Sequence, residues 1–171
     1  MDDVDENGTR LHGLVLRVCT WWAILGGLVL LAVVGVNVAS IIRAAVFGKT
    51  VPGDFELTEL GVAIAAFSFL PYCQIAGLNV SADIFTARAS QFWLSLLSLL
   101  SALIAFGFGG LLLWRMYLGM LDKQTYNEIT HVLSVPTWYG FLGTLPSLAL
   151  LAVAAAATVQ NELSKMARGK P

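Results

Sequence analysis

From Cys19 to Ile42 the chain runs 24 residues without a single charged side chain. About 20 predominantly apolar residues are enough to cross a ~30 Å hydrocarbon core as a helix. Inside that core no water is present to satisfy backbone N–H and C=O groups. A helix bonds its own backbone, so this run predicts a transmembrane helix. Three further apolar runs follow, at about 57–77, 92–114 and 136–159. The predicted fold is an all-α integral membrane protein: one four-span domain over residues 1–171. Hydrophobic residues make up 57% of the chain and charged residues 12%. Soluble domains carry about 25% charge, so a soluble reading fails.

Each span carries local signals. Trp21 and Trp22 open the first and predict an anchor at headgroup level, and Arg43 closes it, placed to snorkel to the interface. Asn37 is its one strong polar residue and predicts a bond to a neighbouring helix. The second span is rich in small residues (Gly61, Ala63, Ala65, Ala66, Ser68), which suits close helix contact. Its Pro71 removes a donor and predicts a kink or a freed carbonyl. In the third, Ser95, Ser98, Ala102, Ala105 and Gly109 recur every three to four residues and predict a packing face. Trp93 and Trp114 stand at its ends, and Arg115 closes it. The helix is expected to run on past Arg115, beyond the membrane, since Gly119 is the sole breaker before Gln124. The fourth span begins at Pro136, suited to a first helical turn, beside an interfacial Trp138 and Tyr139.

Between spans two and three, Leu78 to Gln91 places Val80, Ile84 and Ala87 on one helical face and predicts a short helix along the membrane surface. The acidic start, Met1-Asp2-Asp3-Val4-Asp5-Glu6, lacks the basic n-region of a cleaved signal peptide. Four spans place both termini on one side. That side holds Arg10, Arg17, Arg88, Lys165, Arg168 and Lys170; the other holds Arg43, Lys49, Arg115 and Lys123. The excess of basic residues assigns both termini to the cytoplasm.

Few residues offer chemistry. Glu56 and Glu59 stand at the mouth of the second span, where the helix dipole favours a carboxylate. They are read either as membrane-edge anchors or as charges pairing with Arg43 or with another chain. Asn79 and Asp83 are four apart and share a face if helical. They cap and solvate a surface helix or touch a second subunit. His12 and His131 lie outside the spans, so no histidine pair is available to hold haem between facing helices. Cys19 and Cys73 are single and read as small hydrophobes; neither forms a CxxC pair. No phosphate loop and no HExxH is present. No cofactor, metal site or catalytic residue is predicted, and a net charge of −1 gives no reason to expect nucleic acid.

From its Trp-rich first span to its fourth, the chain resembles the small membrane subunit of tripartite ATP-independent periplasmic (TRAP) transporters, the DctQ type. The resemblance rests on Arg43 and Phe47-Gly48 after the first span, then Pro52-Gly53 with Glu56 or Glu59. Gly77, Asn79-Val80 and Asp83 follow at the end of the second, with Asn79 where a His is common. It implies a scaffold that pairs with a large multi-span permease subunit. That partner imports an organic acid with sodium, and a soluble periplasmic binding protein delivers the substrate. The implied location is the bacterial inner membrane. Candidate subunit-contact or anchoring residues are Asn37, Arg43, Glu56, Glu59, Asn79, Asp83 and Arg88. Three other readings stand beside it. A quinone-linked thiol oxidase needs paired loop cysteines that are missing. A small self-contained exporter needs a carboxylate buried in a span, and Glu59 is at the edge. An orphan tetraspan assembly protein shares the same composition.

Overall fold

The computed structural model describes residues 3–78 and 91–167. Four helices account for nearly all of them: α1 (Asp3–Phe47), α2 (Asp54–Ile75), α3 (Gln91–Thr125) and α4 (Tyr139–Ala167). All four are long and apolar enough to cross a membrane. Among the described residues there is no named strand, only one isolated antiparallel bridge between Ile129 and Pro136. The expected surface helix, with Asn79, Asp83 and Arg88, lies outside the described residues.

The helices stop where the backbone turns left-handed. Gly48 (φ +67°) ends α1 by donating to the Ala44 carbonyl at 2.9 Å. Gly77 (φ +66°) ends α2, where Leu78 donates back to Cys73 and Gly77 to Gln74, a Schellman cap. Asn127 (φ 47°) closes α3 the same way, with Glu128 donating to Lys123. α3 therefore continues ten residues past Arg115, as its lack of breakers predicts. α2 stays one helix through the buried Pro71.

α1, α2 and α4 form the core of the bundle, each packed on the other two; α3 packs on the outer side of α4. Close approach rests on small residues. The backbone at Gly61 passes so near Val33 that a methyl group there would sit 2.3 Å from it. Gly26 meets Ser68 as closely, at 2.5 Å. α2 turns its buried Gly61, Ala65, Ser68 and Pro71 inward at helical spacing, while Ala63 and Ala66 face out. On α3 the expected small-residue face is seen at Ala102 and Gly109, both buried, the latter against Leu151 and Ala152 of α4. Near the end that carries the termini, Val15, Cys19, Ile75, Ala154 and Ala157 make a compact apolar cluster. Cys19 is fully buried there as a free thiol, a small hydrophobe as its surroundings in the sequence predict.

Candidate functional site: a clamped rim and an arginine on the outer helix

The end of the bundle opposite the termini is built by two connections. In the first, Ser40 donates its hydroxyl to the Asp54 carboxylate and accepts the Val51 N–H at 3.1 Å. Asp54 also accepts the Phe55 N–H at 2.8 Å. The turn between α1 and α2 is thus tied to both helices.

The second connection, 126–138, folds back on itself. Thr130 donates to the Val135 carbonyl at 2.9 Å and Thr137 to that of Glu128 at 3.0 Å. Lys123 pairs with Glu128. Glu56 then holds the tip: one carboxylate oxygen accepts the Val132 N–H at 2.8 Å, the other the Leu133 N–H at 2.9 Å. Two adjacent N–H groups on one ionised carboxylate make charge-assisted bonds, stronger than neutral ones. The Leu133 side chain lies over Gly53, whose φ of +78° and lack of a Cβ leave room for it. Around this tie the rim exposes large apolar side chains: Phe47 (74%), Phe55 (77%) and Tyr126 (75%).

Asn37 donates to the Thr58 hydroxyl of α2 at 2.7 Å and to the Val33 carbonyl of its own helix at 2.9 Å. Its amide is engaged inside the chain, bridging α1 to α2. Glu56 is engaged by the 126–138 loop rather than by Arg43. Arg43 and Glu59 are both exposed, and neither is paired among the described residues. Asn79, Asp83 and Arg88 fall outside the described residues. Within those residues no group of three His, Cys, Asp or Glu side chains is placed to hold a metal.

Besides the partners of Glu56, two features are not evident from the sequence. The first is Trp22. Trp21 stays exposed at 64%, but the Trp22 indole N–H donates to Ser147 of α4 at 2.9 Å. Ser147 and Ser68 are both buried, with their oxygens 3.5 Å apart. One indole of the expected anchor pair thus ties α1 to α4, next to Ser68 of α2.

The second is the depth of Arg115. Gly109 lies against Leu151 and Ala152, and Gly119 against Phe141. Between those two levels, Arg115 is level with Leu145 and Pro146. The neighbouring Leu113, Trp114 and Tyr117 share a groove of about 620 Å³ with Leu142, Leu145 and Pro146, which fixes the same register. Six residues separate Leu145 from Tyr139, so Arg115 lies about 9 Å along the bundle from the level of Tyr139 at 1.5 Å per residue. The apolar run in the sequence stops at Arg115, but α3 and its packing against α4 continue past it to Gly119. An arginine at the bilayer centre costs about 2.5–3.5 kcal/mol on insertion scales, and snorkelling lowers that cost. Helical side chains lean toward the helix N-terminus, which for α3 points away from the nearer rim.

Four long apolar helices, tied together by the Trp22–Ser147 and Asn37–Thr58 hydrogen bonds, define a polytopic membrane protein. The family model of the tripartite ATP-independent periplasmic transporters, DctQ component, matches residues 30–165, and the chain belongs to that family. It is a family of transporter components rather than an enzyme class. No curated protein and no solved structure matches the chain.

Proposed function

We propose that this chain is the scaffold subunit of a sodium-driven, tripartite secondary transporter in the bacterial inner membrane. A large multi-span permease subunit carries sodium and substrate, and a periplasmic binding protein delivers the substrate, an organic acid. The observation that carries this reading is the family match over residues 30–165 of a bundle with no charged interior among the described residues. Trp22, Ser68, Ser147, Asn37 and Thr58 spend their polar groups on one another or on the backbone, which suits a static frame more than a substrate path.

Both termini face the cytoplasm, which follows from the excess of basic residues on their side. The rim formed by residues 40–55 and 126–138 then faces the periplasm. Arg43 and Glu59, exposed near that rim, contact or anchor the partner, together with Asn79, Asp83 and Arg88. Asn37 and Glu56 act one step back, by shaping the helix pair and the loop that present the rim.

Uptake in membrane vesicles tests the proposal. Carboxylates that thermally stabilise the binding protein identify the substrate. Sodium-driven uptake of that compound requires the binding protein, the large subunit and this chain together. Uptake at an undiminished rate without this chain sinks the scaffold role.

A further inference from the structure

α3 stands apart from the other helices. α1 and α2 each pack on two neighbours and α4 on three, whereas the extensive helix contact of α3 is with α4 alone. Ala102 and Gly109 mark the side turned to α4. On the opposite side Ile104, Phe108 and Leu111 are exposed, spaced four and three residues apart, and Arg115 follows four residues later on the same stripe. This seam continues straight from apolar side chains into a charge that α4 contacts place level with Leu145 and Pro146, within the apolar stretch of α4. Arg115 is exposed and makes no hydrogen bond or ion pair with the described residues. Outward faces of α1 are as apolar, with Leu28, Leu31 and Val38 exposed, and carry no charge between Cys19 and Ile42.

An ionisable side chain at membrane depth normally faces protein and pairs there. Arg115 faces away from its own bundle. We infer that the Ile104–Phe108–Leu111–Arg115 stripe of α3 is the face against which the large permease subunit packs, with the Arg115 guanidinium bonded to a carboxylate on a transmembrane helix of that partner. The inference rests on the proposed scaffold role and adds the face and the chemistry. A planar guanidinium fits a carboxylate bidentately, and both charges are satisfied where water is scarce. The three apolar residues below it supply the packing surface. They set the register, and the ion pair confers selectivity for one partner at one depth.

The experiment compares the tagged full chain carrying Arg115→Ala, Arg115→Glu or Arg115→Lys, co-expressed with the large subunit. Each is solubilised in mild detergent and checked for a monodisperse elution profile and wild-type helicity. Recovery of the large subunit falls at least tenfold with R115A, falls further with R115E, and is partly retained with R115K. A photo-crosslinking residue at Leu111 captures the large subunit, and one at Leu31 on α1 does not. Recovery within twofold of wild type for both R115A and R115E overturns the inference. So does a loss of co-purifying anionic phospholipid, seen by native mass spectrometry, while the large subunit stays bound; Arg115 then holds a lipid phosphate. If the unmodified chain brings down no large subunit at all, it is the scaffold role that fails, and the two failures are told apart.

Discussion

Glu56, in the first turn of α2, accepts the backbone N–H of Leu133 at 2.9 Å, and Leu133 in turn lays its side chain over Gly53, three residues before that glutamate. A loop 77 residues along the chain is therefore seated on the start of α2 by one carboxylate and one leucine. The carboxylate makes the tie specific, because it accepts from two successive amides at once.

Replacing Glu56 with alanine leaves the Val132 and Leu133 amides open to water. Their hydrogen exchange rises severalfold, and the rise stays confined to the 126–138 loop because the helices keep their own bonds. Glu56→Gln keeps one acceptor and gives an intermediate rate. Unchanged exchange at both amides in Glu56→Ala contradicts the clamp.

The Trp22 indole predicts a graded loss of stability. Trp22→Phe and Ser147→Ala each remove one interhelical bond, at about 0.6 kcal/mol for an average membrane case. The double variant costs about as much as either alone, because both remove the same bond. Trp22→Ala also removes buried ring surface and is the largest, at about 3 kcal/mol. Thermal unfolding in detergent measures all four. Additive losses in the double variant show that Trp22 and Ser147 do not interact.

Gly61 has no room for a side chain against Val33. Gly61→Leu forces α1 and α2 apart and costs about 1–3 kcal/mol by overpacking. At Gly27 nothing lies within 4 Å of the point an added methyl group would occupy. Gly27→Ala is therefore neutral or slightly stabilising, since alanine is the better helix former. A thermal-shift comparison of the two variants reads the contrast; equal midpoints dismiss the close approach of α1 and α2.

Much of the architecture was legible from charge-free runs, because the demand that a backbone bond itself in hydrocarbon acts on every residue locally. The continuation of α3 beyond Arg115 was legible for the same local reason. Three relationships were not. The partners of Glu56 are amides more than seventy residues away, and a backbone N–H carries no residue identity to read. Trp21 and Trp22 are the same residue side by side, and only the facing helix decides that Trp22 turns inward to Ser147. The depth of Arg115 depends on where Gly109 and Gly119 meet α4, a register set by tertiary packing. The hint in the sequence was the apolar Trp114–Met116–Leu118 stretch running straight on past the arginine.

The proposed scaffold role makes this bundle one part of a larger membrane assembly. Affinity purification of the tagged full chain from native membranes, followed by mass spectrometry of what elutes with it, tests that role. The expected result is a large multi-span permease subunit recovered in near-stoichiometric amount and lost when the solubilised membranes are treated with a harsh detergent. Recovery of this chain alone in mild detergent, or as a homo-oligomer with no large membrane protein beside it, would contradict it.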